Sequence, residues 1–415
     1  MGNFVGYQCS ICGKEYRPDE VTYTCPEDNG ILDVVLDYDD LAGKETAELI
    51  NPEEPSLWRY FPLIPVSNLI GKGTPIRSAG WTPIYSPSQL GNELGLKQFW
   101  VKDESGNPTA SFKDRASAVL VARAKEINAE VIVTASTGNA GAALAGMAAA
   151  VDQKSVIFAP KMAPPAKIAQ LLIYGARVIL VDDNYDAAYQ LSLEASQEFG
   201  WYNRNTGYNP FTAEGKKTAA YEIWEQVILK KSLDQPLNLF IPVGDGNIIS
   251  GIHKGFRDLF KIGQIKHMPR IFGCQSTGSP AIYNAYRSGK EVITPVEADT
   301  LADSISVNMP SDGLRALRAA TQTGGAYVAV EDEAILDAIS NLGRVGIFAE
   351  PAGATTLAGL KQALIEGLLG KEDPILVLNT GSGLKDVKAA RDAAGEAPVI
   401  PPKLEEVKRL LKNEL

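Results

Sequence analysis

The chain has 415 residues, enough for two or three modules at roughly 100–200 residues each. It is 45% hydrophobic and 22% charged, which excludes a disordered or collagen-like polymer. With 40 basic and 50 acidic side chains it carries a charge of −10, poor material for a phosphate-backbone binder, so no nucleic-acid partner is expected.

The first ten residues, MGNFVGYQCS, contain no charged segment followed by an apolar one, so no export leader is expected. Four cysteines are too few for a disulfide framework in a chain this long, which suits a reduced, cytoplasmic protein. Residues 7–39 mix aromatic and β-branched residues with Cys, Gly and Pro, a pattern of short strands joined by knuckle-like turns. Cys9-x-x-Cys12 is half of a zinc ribbon, and Cys25 follows at the right distance, but its partner position holds Asp28. Two readings stay open: a zinc site of Cys9, Cys12, Cys25 and Asp28, or a metal-free relic. Cys274 lies in an apolar run and reads as core.

After an irregular, Pro-rich stretch from Pro52 to Pro75, apolar runs alternate with helical patterns almost to the end. Strands are expected at Phe99–Asp103, Val131–Ala135, Ser155–Ala159, Val178–Val181, Leu239–Val243, Arg270–Cys274 and Ile375–Asn379. Helices are expected at Asp114–Ile127, Asp186–Phe199 and Pro351–Glu366. This alternation predicts an α/β protein of two doubly wound βαβ domains with a ligand cleft between them, behind the small ribbon-like N-terminal unit. The expected division is 1–40 for the ribbon, 41–110 with 205–400 for the large domain, 111–204 for the small domain, and 401–415 for a terminal helix. Leu404, Val407 and Leu411 share one face of that helix, which should dock on its own subunit or on a neighbour. The longest apolar run, Ala140 to Val151, is shorter than the ~20 residues of a spanning helix, so no membrane partner is expected. With only His253 and His267 present, His-rich metal catalysis and a Ser-His-Asp triad are disfavoured.

Four motifs fall at strand ends. DESGNPTASFKDR (Asp103–Arg115) puts Lys113 in the first turn of a helix, where the dipole and partly apolar surroundings disfavour the ammonium form and favour a Schiff-base nucleophile. A solvated helix lysine is the plainer alternative. TASTGNAG (Thr134–Gly141) offers Ser136, Thr137 and Asn139 with free N–H groups at a helix start, a receptor for a carboxylate or phosphate, although it also suits an ordinary N-cap. PVGDGNIISG (Pro242–Gly251) lacks the G-K-[ST] of a Walker loop and the third Gly of a dinucleotide fingerprint, so it fits a single phosphate monoester. LNTGSGLKD (Leu378–Asp386) places the Thr380 hydroxyl where it can face a heteroaromatic nitrogen without protonating it. Together these offer an amine, a carboxylate receptor, a phosphate cup and a ring-nitrogen partner, which describes pyridoxal phosphate chemistry on an amino acid.

At this point the sequence resembles the fold-type II pyridoxal-phosphate enzymes, and within them the threonine synthase group. GNPTASFKDR is similar to that group's lysine signature. ASTGNAG, VGDGNI, the EPAG turn at Glu350–Gly353 and NTGSGLKD follow in the family's order, over roughly residues 5–395. The resemblance implies that Lys113 joins the cofactor aldehyde and later acts as general base. It implies that Asn139 meets the phenolic oxygen, that Gly244, Asp245, Gly246, Asn247 and Ile248 cup the phosphate, and that Thr380 faces the pyridine nitrogen. Ser136, Thr137 and the Ala140 N–H would hold the substrate carboxylate. A homodimer is the family's habit.

Two positions depart from that pattern. Thr212 in NPFTAEGKKT and Ser306 in ADSISVN stand where arginines would hold the phosphate of O-phosphohomoserine, leaving Arg204, Lys216 and Lys217 as nearby cations. The leading expectation is therefore a carbon-oxygen lyase making threonine from O-phosphohomoserine. The alternatives are a sister β-replacement of the cysteate synthase kind, or deamination of a hydroxy- or diamino acid. A catalytically silent interaction module is a third, against which the intact Lys113 block argues.

Overall fold

The computed structural model describes residues 3–412. Thirteen strands form three sheets. They are β1 (Phe4–Cys9), β2 (Glu15–Tyr16), β3 (Leu32–Leu36), β4 (Ile84–Tyr85), β5 (Gln98–Asp103), β6 (Val131–Ala135), β7 (Lys154–Pro160), β8 (Arg177–Val181), β9 (Tyr202–Asn203), β10 (Asn238–Pro242), β11 (Arg270–Ser276), β12 (Tyr327–Val330) and β13 (Pro374–Asn379). The N-terminal sheet is antiparallel in the order β2-β1-β3. The large sheet runs β12-β11-β10-β13-β5-β4 and is parallel except for β4; the small sheet, β8-β7-β6-β9, is wholly parallel.

Both parallel sheets are covered on two faces, as near-continuous apolar strands require. In the large sheet Leu239 and Ile241 of β10 enter one core while Phe240 enters the other, and Leu376 and Val377 of β13 divide the same way. In the small sheet Val133 and Phe158 pack toward the helix Tyr185–Phe199, whereas Ile157 packs toward the helices Asn139–Ala149 and Pro165–Ile173. The apolar run after Asn139 is thus a buried core helix, with Ala143, Leu144 and Met147 fully enclosed. No helix among the described residues is long and apolar enough to cross a membrane.

All seven expected strands are present, with ends shifted by one or two residues. The sequence reading omitted β12, β9 and β4, edge strands of four, two and two residues, too short to show a pattern. The C-terminal helix forms over Leu404–Leu411, but none of its residues is buried, and Leu404 and Leu411 are 67% and 42% exposed. Docking on its own subunit is therefore not what this helix does. Residues 413–415 of that expected segment, and 1–2 of the N-terminal unit, lie outside the described residues.

Strand order sets the site. β10, β13 and β5 are consecutive neighbours, with Asn379 level with Asp103, so the glycine loop, the NTGSG turn and the Lys113 loop leave the same edge side by side. The TASTGNAG turn leaves the corresponding edge of the small sheet at Ala135.

Candidate active site

Lys113 is placed by its neighbours. Past β5 the chain makes a short turn over Glu104–Gly106, then passes through Ala110 at φ 62°, a left-handed conformation that a residue with a Cβ adopts at a cost of about 1 kcal/mol. Asp114 is fully buried and accepts from the Thr109 N–H at 2.6 Å and from its hydroxyl. Arg115 is also fully buried and forks onto Glu104 (2.7 and 2.8 Å) and Glu222 (2.7 Å), while Lys102 reaches Glu222 at 2.9 Å. The residues on either side of Lys113 are thereby locked inward, and the helix Lys113–Glu126 starts in a fixed direction. Burial holds the Lys113 amine below the ordinary lysine range. Glu350 and Asp245 oppose that shift, and Arg204 adds to it.

Backbone contacts tie this loop to the end of β13. The Phe112 N–H donates to the Thr380 carbonyl at 2.8 Å, and the Ser382 N–H donates to that of Ala110 at 3.1 Å. The Thr380 hydroxyl donates to Glu350 at 3.2 Å, and Asn139 Nδ2 donates to the other oxygen of the same carboxylate at 2.9 Å. Glu350 is buried, and desolvation raises its pKa against the pull of Asn139 and Lys113. One carboxylate thus joins the small sheet's turn to the large sheet's last strand. A cleft opens there, lined by Thr137, Asn139, Lys167, Glu350 and Lys385. On the small-sheet side the Ser136 hydroxyl accepts from the N–H groups of Gly138 (3.3 Å) and Gly141 (3.0 Å), and Thr137 and Ala140 are half-exposed at the helix start.

The glycine loop ends β10 and opens the helix Asn247–Lys261. Gly246 sits at φ 90°, and a Cβ there would lie 2.7 Å from the Ala316 side chain, so only glycine fits. Asp245 accepts from the Ser311 hydroxyl at 3.1 Å, and Ile248 packs on the main core. Asn247 Oδ1 accepts from Lys216 Nζ at 2.6 Å and from the Thr212 hydroxyl at 3.2 Å, while its Nδ2 donates to Asp312 at 2.8 Å. Ser306 follows the short turn Asp303–Ile305, whose Ile305 backbone abuts Gly244.

Two cations stand out beside this loop. Arg204 is buried and its Nη1 is bonded to the Thr206 hydroxyl at 3.0 Å; its Nε and Nη2 have no hydrogen-bond partner among the described residues. Lys216 is fully buried, and burial together with Lys113 and Arg204 holds its pKa well below that of an ordinary lysine. Arg204 is itself pushed down to about 10 by burial. Neither makes an ion pair among the described residues. Lys217, the third cation available in the sequence, is instead consumed in a buried network with Glu214 and Asp258 (3.0 Å).

The structure gathers Asn139 and Thr380 on Glu350, whose charge also reaches Lys113, with Thr137 and Asn139 lining the cleft and Ser136 and Ala140 in the same turn. Thr212 bonds Asn247 of the Gly244–Ile248 loop beside Lys216, and Ser306 follows Ile305, which abuts Gly244. Cys9, Cys12, Cys25 and Asp28 gather elsewhere, in the N-terminal sheet. Glu350 is the residue that sequence reasoning passed over. Glu before Pro at a helix start reads as a cap, but this side chain makes no capping bond and turns into the cleft.

Comparison with known proteins agrees with this geometry. Residues 77–381 match the family described as pyridoxal-phosphate dependent enzyme. The threonine synthase of Methanocaldococcus jannaschii is 38% identical over 412 residues, covering 98% of this chain and 99% of that protein. The threonine synthase of Methanosarcina acetivorans is 36% identical, over 97% and 98% of the two chains. Among solved structures, threonine deaminase isoform 2 from Solanum lycopersicum superposes with a TM-score of 0.66 at 24% identity, over 78% of this chain and 86% of that one. Diaminopropionate ammonia lyase from Escherichia coli does so with a TM-score of 0.65 at 22% identity, over 76% and 89%. These two likenesses concern the fold, whereas the family match and the full-length relatives concern the sequence itself: the chain belongs to the pyridoxal-phosphate-dependent enzymes and, within them, to the threonine synthase family.

Proposed function

We propose that this chain is a threonine synthase, a pyridoxal-phosphate-dependent carbon-oxygen lyase that converts O-phosphohomoserine and water into threonine and phosphate. The residues present fit the cofactor. Lys113 offers an amine whose charged form is disfavoured by burial, the Ser111 hydroxyl is buried without a partner, and a helix N-terminus opens behind Gly246. In this reading Lys113 would hold the aldehyde, Asn139 would meet the phenolic oxygen, and Thr380 would face the ring nitrogen. The phosphate is cupped by Gly244, Asp245, Gly246, Asn247 and Ile248. When bound, the group supplies an electron sink for charge developing on the amino-acid substrate.

The chain's own residues supply the rest. Ser136, Thr137 and the Ala140 N–H orient the substrate carboxylate. The Lys113 amine, once free, takes and returns protons at the substrate's carbon atoms, work for which its lowered pKa suits it. Thr212 and Ser306 offer hydroxyls near the distal end. Asn139 is held by Glu350 through one of its two amide hydrogens, whereas Thr380 must turn its single hydroxyl hydrogen from Glu350 to serve the ring nitrogen.

One observation carries the phosphorylated substrate: Arg204 and Lys216 are buried beside the glycine loop with no acidic partner. Two uncompensated buried cations are costly unless an anion completes them. A phosphate ester is such an anion, beyond the cofactor phosphate assigned to the same loop, and Arg204 and Lys216 would serve it in place of the arginines that Thr212 and Ser306 displace. Adding O-phosphohomoserine to the purified holoenzyme should release phosphate and threonine in equal amounts. No phosphate above background would remove this reading.

The division at 1–40, 41–110 with 205–400, 111–204 and 401–415 is proposed on the same ground, since it assigns each sheet and its loops to one body. A homodimer is supported by the exposed apolar face of Leu404, Val407 and Leu411, and sedimentation at micromolar protein would test it. Four free thiols suit a reducing compartment such as the cytoplasm.

A further inference from the structure

Four donors meet in the N-terminal sheet, far along the chain from the cleft. The Sγ atoms of Cys9, Cys12 and Cys25 and a carboxylate oxygen of Asp28 all lie within 4.8 Å of one another. Cys12 Sγ is 3.8 Å from Cys25 Sγ, and Cys9 Sγ is 3.3 Å from Asp28 Oδ1. A tetrahedral zinc with bonds of about 2.3 Å to sulfur and about 2.0 Å to oxygen needs edges of roughly 3.8 and 3.5 Å. The Cys12–Cys25 and Cys9–Asp28 edges are therefore close to those of a tetrahedral site before any ion is added.

The surroundings are arranged as a metal's outer shell. The Ile11 N–H donates to Cys9 Sγ at 3.3 Å, and the Gly30 N–H donates to Asp28 Oδ1 at 2.8 Å. The Tyr16 hydroxyl lies 3.1 Å from Cys25 Sγ. A Cβ on Gly30 would fall 2.6 Å from Cys9 Sγ and 2.8 Å from Asp28, so the backbone is kept bare where the donors converge. Lys14, on the same sheet, is engaged by Glu27 at 2.6 Å.

The knuckle between Cys12 and Cys25 carries Tyr23. Its ring stacks on Tyr208 at 4.5 Å, and its hydroxyl accepts from the Asn203 N–H at 2.9 Å. Residues 203–208 are the segment that carries Arg204. We propose that Cys9, Cys12, Cys25 and Asp28 bind one zinc-class divalent cation, and that this ion holds Tyr23 against the Asn203–Tyr208 segment. The three thiols release their protons on binding, and nothing is oxidised or reduced. The metal site itself is independent of the assigned reaction; only the importance of Arg204 rests on it.

The test uses the full-length holoenzyme, reduced and loaded with zinc salt, then desalted. Elemental analysis should find one zinc per chain. Zinc affinity, read by competition with a chromophoric chelator, should fall about a hundredfold in Cys12→Ser, and Asp28→Cys should retain or tighten binding. Cys12 is exposed, so its serine variant should keep the wild-type circular dichroism. Chelation should speed hydrogen exchange at residues 201–208 and leave β10 and β13 unchanged. Absence of bound zinc, an undiminished zinc affinity in Cys12→Ser, or a Cys12–Cys25 disulfide in the freshly purified chain would overturn the site. Unchanged exchange at 201–208 would overturn the clamp.

Discussion

Lys113 owes its chemistry to what faces it across the cleft more than to its place at a helix start. Burial favours the neutral amine, Glu350 favours the charged one, and Arg204 opposes charge again. Activity that needs a neutral amine rises with pH through the pKa of Lys113, so each neighbour should move that acidic limb in a defined direction. Arg204→Met removes a repelling cation, raises the pKa and shifts the limb to higher pH; Glu350→Gln removes an attracting anion and shifts it to lower pH. Arg204→Met should also cost about 1.5–3 kcal/mol in kcat/KM, roughly tenfold to a hundredfold, through the lost charge-assisted bonds to phosphate. Profiles of kcat against pH, which report the substrate complex in which the amine is free, check both signs, and parallel shifts in one direction would refute the arrangement. At this scale the positions of Lys113, Ser136 and Thr380 at the turns after β5, β6 and β13 were legible because each motif follows an apolar run. Glu350 was not. Its role depends on Asn139 and Thr380, 211 and 30 residues away in sequence, arriving at its two oxygens.

Among the elements, the loop before Lys113 is anchored by ion pairs that have no exposure to water. Arg115, Glu104, Glu222 and Lys102 are each 0% exposed and come from the Lys113–Glu126 helix, the turn after β5, the Thr218–Ile223 helix and β5 itself. Such a cluster is weak evidence of net stability, but breaking it is costly because the survivors keep their charge without partners. Arg115→Leu should lower stability by about 3–5 kcal/mol, read as a lower urea midpoint. Arg115→Lys should recover little of it, since an ammonium cannot fork onto two carboxylates. A wild-type midpoint in Arg115→Leu would show that the cluster does not hold the loop. The sequence announces DR after the lysine but not its acidic partners, which are 11 and 107 residues distant. In the two parallel sheets, strands longer than four residues were readable because both faces are covered, which leaves uninterrupted apolar runs. The edge strands β9 and β12 lack that length, and the exposed Leu404–Leu411 face gives no sign of its partner.

For the molecule as a whole, the N-terminal unit is part of the main body and not an appendage. Tyr7, Cys25, Leu32, Val34 and Leu36 belong to the same buried cluster as Phe211, Tyr221 and Leu239. Phe4 meets Phe211 edge-on at 5.7 Å, and Arg123 lies over both rings. A polar path also runs inward: Asp33 of β3 pairs with Arg315, Arg315 with Asp312, and Asp312 accepts from Asn247 in the glycine loop at 2.8 Å. Removing residues 3–36 would therefore uncover core side chains and free Arg315 from one of its two carboxylates. Each large apolar side chain left facing water forfeits about 1.5–3 kcal/mol, and several are uncovered together. The truncated chain should accumulate poorly as soluble protein, and any that does should melt well below the full chain. Its Asn247, with Asp312 less restrained, should also hold Lys216 less firmly, raising KM for the phosphorylated substrate more than it lowers kcat. A truncated protein with the full chain's melting temperature and KM would mean that the two bodies are energetically separate, in spite of their shared core.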